Sequence, residues 1–137
     1  RKIAVCGTSR GGFLALHAAI HDPRVKYVAA FAPVTDLSVL REFNSTRDNP
    51  LVKKLNLTNR AKDLAGRRVW IVIGDQDERV GTDDAIQLAR NISREFRTSS
   101  KSRGGARIFS SRGLGNFCLG CREVSSITVR NSRLYSE

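Results

Sequence analysis

The chain has 137 residues, of which 40% are hydrophobic and 27% charged, and its formal net charge is +11. This size and composition are typical of one globular domain and exclude two full domains, and no apolar run reaches the roughly 18 residues that a membrane span requires. Three cysteines are too few for a disulfide framework, so we expect a cytoplasmic protein with no membrane partner.

Short apolar runs alternate with helical patterns over the first two thirds of the chain. The pattern predicts a buried strand over residues 3–6, a buried helix over 11–21 that ends before Pro23, and a second strand over 25–33. Residues 36–65 are polar and mixed in composition. We interpret them as an excursion, a segment that leaves the sheet before the next strand begins. A third strand is predicted over 69–73, followed by a helix that Thr82 caps and that runs to about residue 96. This order predicts a parallel α/β sheet.

The sequence changes in character after about residue 97. Residues 98–137 contain nine serines, no aspartate and seven Lys and Arg against two acidic residues. Short strands are possible at 106–109 and 127–129, but no helical period is present. We therefore divide the chain into a domain at 1–97 and a basic Ser/Arg/Gly-rich tail at 98–137. The tail is either disordered or the product of a shifted reading frame, which the coding DNA would show.

A serine between two glycines stands where the first strand meets the first helix, in Gly7-Thr8-Ser9-Arg10-Gly11. A serine hydroxyl needs exposure and a base to become a nucleophile, and the Gly-x-Ser-x-Gly elbow exposes it on a sharp turn. The glycines are expected to make room for close packing of the strand against the helix. The alternative is a strand–helix turn whose glycines serve packing alone. The strand–turn–helix context favours the nucleophile.

Two stretches resemble α/β-hydrolases: "IAVCGTSRGGFLALHAAIHDPRVKYVAAFAPVTDL" and "VWIVIGDQDERVGTDDAIQLARNI". They are most similar to the prolyl-oligopeptidase and dienelactone-hydrolase-like branches, over residues 2 to about 96. The resemblance implies part of a three-layer α/β/α sandwich with a parallel sheet. It also implies a serine hydrolase that cleaves a small-molecule ester or a peptide through an acyl-enzyme, with no cofactor and no metal.

The resemblance implies a role for three residues. Ser9 is the expected nucleophile, the backbone N–H of Arg10 one oxyanion donor, and Asp77 the acid that orients a histidine. Asp75 is a rival for the acid on spacing, and Asp36 is a weaker rival because we expect it to cap the start of the excursion. Without the family context, Asp77 would be interpreted as a solvated loop carboxylate.

The sequence departs from the family pattern in three places. The catalytic histidine is expected about thirty residues after Asp77, yet no histidine follows His21. The strands expected before Ile3, with the second oxyanion donor, are absent from the sequence, which begins without methionine, so we expect a piece of a longer protein. Arg68 stands where the family often has proline. Because the histidine both removes and returns the proton, we expect little activity from this chain.

Two other groups of residues have spacings that occur at functional sites. His17 and His21 share a helix face and could bind metal, but no third ligand is evident, so we expect a packed His17 and a His21 near the helix C-terminus. Cys118 and Cys121 have the spacing of a metal or redox pair, but a second pair is missing, and we interpret the spacing as chance.

Three classes of function follow from these patterns. The first is a serine hydrolase of esters or peptides, and the second is a non-catalytic hydrolase scaffold that acts as a binding module. The third is nucleic-acid binding by the basic tail, which we do not favour because its aromatic residues are too sparse for a stacking surface. The sequence carries no indication of the oligomeric state.

Overall fold

A computed structural model describes residues 1–74, 77 and 79–98, and the backbone of 105–111. The strands are β1 (Ile3–Thr8), β2 (Val25–Phe31), β3 (Arg68–Gly74) and β4 (Gly105–Ser111), and the helices are α1 (Arg10–His21), α2 (Pro50–Lys54), α3 (Ala61–Leu64) and α4 (Thr82–Thr98). Short 3₁₀ helices at Leu37–Val39, Arg41–Thr46 and Leu57–Arg60 complete the excursion. The predicted α/β class is confirmed.

The four strands form one parallel sheet in the order β1-β2-β3-β4. Each strand therefore pairs with the next along the chain, as short right-handed crossovers favour. Thr8 pairs with Phe31, and Phe31 pairs with Val72. Because all strands point the same way, the loops after β1, β2 and β3 leave from one edge of the sheet.

Apolar side chains on one face of the sheet pack against the helices. Inward residues of β2 and β3 and the buried faces of α1 and α4 belong to a single core cluster, which includes Leu16, Val28, Ile71, Leu88 and Ile92. The opposite face is more exposed: burial alternates along β1 and β3, and Tyr27 and Trp70 are 38% and 49% exposed. Among the described residues, the helices thus form a second layer on one face only.

The element bounds agree with the predicted ones to within about two residues, and the start of α4 differs in one respect. Thr82 does not cap α4, because its hydroxyl donates to the Gly74 carbonyl (2.6 Å) and accepts from the Asp77 N–H (3.1 Å). The prediction of an N-cap was therefore wrong. Asp83 and Asp84 do lie in the first turn, where the helix dipole favours negative charge.

The sheet continues into the segment assigned to the basic tail. β4 includes the possible strand at 106–109 and pairs with β3 from Gly105 to Ser111. The possible strand at 127–129, Cys118 and Cys121 lie outside the described residues, and the disordered or frame-shifted nature of that segment stays a prediction.

No helix in the described part of the chain is both long enough and apolar enough to cross a membrane.

Candidate active site at the β1–α1 turn

Ser9 occupies the turn between β1 and α1 in a backbone conformation that side-chain-bearing residues rarely adopt. Its φ is 54° and its ψ is −119°, and the residue is exposed. Such backbone strain costs about 1–3 kcal/mol and persists only where surrounding contacts enforce it. Although Ser9 precedes the helix, its side chain makes no capping hydrogen bond. The hydroxyl is therefore not used as a helix cap, which is the ordinary role of serine at this position.

Three backbone hydrogen bonds hold Ser9 in this conformation. Its N–H donates to the Phe31 carbonyl at 2.9 Å, so the β1–β2 ladder continues into the turn. Its carbonyl accepts from the N–H of Phe13 at 3.1 Å and from that of Val34 at 3.2 Å. The first of these begins α1, and the second fixes the loop after β2 beside the turn.

The glycines around Ser9 have different roles. A Cβ on Gly7 would overlap the Gly11 carbonyl group and lie 2.8 Å from the Gly12 nitrogen, so only glycine fits there. A Cβ on Gly12 would lie 2.9 Å from the Pro33 Cβ. A Cβ on Gly11 would meet nothing within 4 Å. The expected packing role is thus present at Gly7 but not at Gly11, and Gly12 provides the second close approach.

The backbone N–H of Arg10 lies at the start of α1, where N–H groups have no partner within the helix. The first helical bond described runs from the Phe13 N–H to the Ser9 carbonyl. An N–H group ahead of that bond is available to an external acceptor. The Arg10 side chain points to solvent and forms an ion pair with Glu42, with 2.9 Å between Nη2 and Oε1.

Asp77 lies in the loop after β3 and is half-buried. Its Oδ1 accepts from the backbone N–H groups of Arg79 (3.1 Å) and Val80 (3.3 Å), while its own N–H is bound by the Thr82 hydroxyl. The described hydrogen bonds of this carboxylate all go to Oδ1. Asp77 is therefore fixed within the loop, at the same edge of the sheet as Ser9.

The two rival carboxylates differ from Asp77. Asp36 accepts from the Ser38 N–H at 2.8 Å and from the Asn56 side-chain amide at 2.6 Å. It caps the first 3₁₀ helix of the excursion, as the sequence predicts. Asp75 lies outside the described residues.

Asp84 adds a further carboxylate beside the acid loop. Its Oδ2 would lie 2.8 Å from a Cβ on Gly81, which itself has a φ of 77°. Burial raises the pKa of Asp84, and the negative charges of Asp36 and Asp83 raise it further. The start of the excursion and the start of α4 therefore place carboxylates close enough to interact.

Neither histidine is placed to act on Ser9. His17 is buried eight residues further along α1, about 12 Å away at the rise of an α-helix. Its Nε2–H donates to the Leu55 carbonyl at 3.0 Å, and its ring packs on Phe13 at 4.4 Å between centroids. His21 lies exposed in the last turn of α1. The expectation of a packed His17 and a terminal His21 is confirmed.

Within the described part of the chain, no three His, Cys, Asp or Glu side chains come together in a group that could hold a metal ion.

Sequence reasoning missed three features of the site. Ala32 has a φ of 41°, although it is not glycine, and its N–H donates to the Val72 carbonyl at 2.6 Å. Glu42 reaches Arg10 from the excursion, and Thr82 fixes the acid loop. The only sequence signal for the Ala32 conformation is that Pro33 follows it. This signal indicates extended backbone and not a positive φ, because a residue before proline favours extended backbone.

Arg68, which departs from the family pattern, lies over the Tyr27 ring at 5.7 Å.

Comparison with known proteins decides the family. Residues 1–109 match the esterase family, which is described as "Putative esterase". The chain belongs to this esterase family. The match includes the Ser9 turn, the Asp77 loop and most of β4. A search of curated proteins found no match.

Two peptidases of known structure are similar to this chain. The chain superposes on Pyrococcus horikoshii acylaminoacyl peptidase with a TM-score of 0.64 and 17% identity, over 82% of this chain and 20% of that one. It superposes on a Mycobacterium tuberculosis puromycin-hydrolyzing peptidase with a TM-score of 0.60 and 18% identity, over 78% of this chain and 18% of that one. These structures and the family match confirm the α/β-hydrolase fold. The chain spans about a fifth of the length of each of these two peptidases.

The packing at Gly7 can be tested against Gly11. Gly7→Ala should destabilise the chain by about 2 kcal/mol or more, because its Cβ would overlap the Gly11 carbonyl group. Gly11→Ala should be neutral or stabilise by up to about 1 kcal/mol, because it adds a good helix former in open space. Urea unfolding followed by circular dichroism measures both. Equal effects of the two substitutions would contradict this description of the turn.

The burial of His17 predicts a pH dependence of stability. Burial is the main cause that lowers the pKa of His17 below 6.5, with the Arg60 and His21 charges acting in the same direction. Between pH 7 and 5 the unfolded chain therefore binds the proton more readily, and the free energy of unfolding should fall as the pH falls. His17→Gln should flatten this dependence, whereas His21→Gln, which removes only the smallest of these causes, should flatten it much less. An unchanged slope in His17→Gln would show that His17 is not the group responsible.

Proposed function

We propose that Ser9 is the nucleophile of a serine hydrolase that cleaves esters or peptides of small size through an acyl-enzyme. The observation that supports this most is the strained, exposed conformation of Ser9, whose hydroxyl does not cap the helix. A turn needed only for packing would have no reason to place a serine at a φ of 54°. Backbone strain at a serine between a strand and a helix is characteristic of a nucleophile elbow.

In the proposed reaction, Ser9 Oγ attacks the carbonyl carbon of the substrate while a base takes the hydroxyl proton. The backbone N–H of Arg10 stabilises the negative charge that develops on the carbonyl oxygen. The C–O or C–N bond then breaks, the alcohol or amine leaves with the proton, and water releases the acyl group from Ser9. Asp77 is proposed to hold the base in the correct orientation.

The base itself is not among the histidines of this sequence. His17 is committed to Leu55, and His21 is still further along the helix. We propose that the chain holds the nucleophile and the acid of a longer hydrolase, and that alone it retains only the small activity left by the elbow and the oxyanion donor. We also propose a cytoplasmic location, on the cysteine content alone.

The missing base also favours a second candidate, a non-catalytic hydrolase scaffold that binds ligands without cleaving them. The two candidates differ in whether Ser9 is chemically activated. A covalent probe of serine hydrolases distinguishes them directly.

The test is labelling with a neutral alkyl fluorophosphonate, in which Ser9 Oγ bonds to phosphorus, fluoride leaves and a base takes the proton. Wild type should be labelled slowly at Ser9, and added imidazole should increase the rate several-fold by supplying the base. Ser9→Ala should not be labelled, whereas Ser38→Ala, at a serine outside the turn, should behave as wild type. Mass spectrometry of the peptides locates the label.

No label on Ser9, with or without imidazole, would refute the nucleophile and favour the non-catalytic scaffold. Equal labelling of Ser9→Ala would show that the probe reacts elsewhere.

A further inference from the structure

We propose that Arg10 is a specificity-determining residue that favours substrates with a carboxylate near the bond to be cleaved. This inference rests on the proposed function of Ser9 and concerns the Arg10 side chain, not its backbone N–H. Three observations carry it: the position of the guanidinium, its exposure, and the kind of contact that it makes.

Arg10 is adjacent to Ser9 in the chain, and its side chain is 71% exposed. The guanidinium is therefore carried on a long side chain that starts one residue from Ser9, and it is open to solvent. The next residues of α1, Gly11 and Gly12, have no side chains. Among the first three residues of α1, Arg10 is thus the one that carries a side chain.

Glu42 positions the guanidinium from the excursion. It lies in the 3₁₀ helix Arg41–Thr46, is 45% exposed and forms an ion pair with Arg10, with 2.9 Å between Glu42 Oε1 and Arg10 Nη2. A guanidinium has five N–H donors, and this contact joins one of its nitrogens to one carboxylate oxygen. The remaining donors can bind a second carboxylate, with the planar geometry that arginine favours for such pairs.

The contact with Glu42 is also weak enough to be exchanged. Ion pairs between exposed side chains contribute about 0–1 kcal/mol, because water screens them. A substrate carboxylate can therefore compete with Glu42 or share the guanidinium with it. An amine on the substrate would instead be repelled by Arg10, so the site should prefer anionic over neutral and neutral over cationic groups.

The experiment compares three fluorophosphonates of equal length that end in a carboxylate, a primary amide or an amine. In the wild type, the carboxylate probe should label Ser9 at least about three times faster than the amide probe, and the amine probe should label it most slowly. Arg10→Gln should bring the carboxylate-to-amide ratio close to one. Glu42→Gln should raise it, because it removes the competing carboxylate. Higher ionic strength should lower the ratio in wild type.

Arg24 offers a matched control. It is another exposed arginine paired with a carboxylate, Asp22, at 2.7 Å, but it lies beyond the far end of α1. Since α1 has 12 residues and is about 18 Å long, Arg24→Gln should leave the ratio unchanged. Thermal unfolding of each variant checks that the fold is retained.

The failure of this inference differs from the failure of the proposed function. Labelling of Ser9 with equal rates for the three probes, or a ratio that Arg10→Gln does not change, would refute the role of Arg10 alone. No labelling of Ser9 by any probe would refute the nucleophile, and the inference would fall with it.

Discussion

The structure depends on the close approach between the end of β1 and the start of α1. Because Gly7 contacts the Gly11 carbonyl group, the chain has to reverse direction within about two residues. Ser9 lies at the point of reversal and takes a positive φ of 54°. The free energy that this costs is offset by the bonds of its backbone to Phe31, Phe13 and Val34. Exposure of the serine hydroxyl follows from this packing.

The other parts of the candidate site follow from the parallel sheet. β3 runs in the same direction as β1, so the Asp77 loop leaves from the same edge as the Ser9 turn. The Thr82 hydroxyl bridges Gly74 and Asp77 and so determines the path of that loop. Two polar contacts join the excursion to α1: Arg10 pairs with Glu42 near Ser9, and His17 bonds to Leu55 further along the helix. One helix thereby organises both the turn and the surface beside it.

Much of this could be predicted from the sequence because it depends on local patterns. The buried runs predict β1, β2 and β3, and the glycines predict a tight turn at Ser9. The different roles of Gly11 and Gly12 could not be predicted, because they depend on where Pro33 lies. The positive φ of Ala32 and the pairing of Arg10 with Glu42 depend on tertiary contacts that leave no trace in residue spacing. β4 was only a possibility, since its surroundings in the sequence have no regular period.

The fold strains the backbone at Ser9, and comparison of Ser9→Gly with Ser9→Ala tests this strain most directly. Both substitutions remove the hydroxyl, so the difference in their free energies of unfolding reports the backbone. The Ser9→Gly variant should be more stable than the Ser9→Ala variant by about 1–3 kcal/mol. The same two substitutions at Asn49, a helix cap with an ordinary φ of −61°, measure how much a helix cap usually favours glycine over alanine. A difference at Ser9 no larger than that at Asn49, or alanine more stable than glycine, would contradict the account.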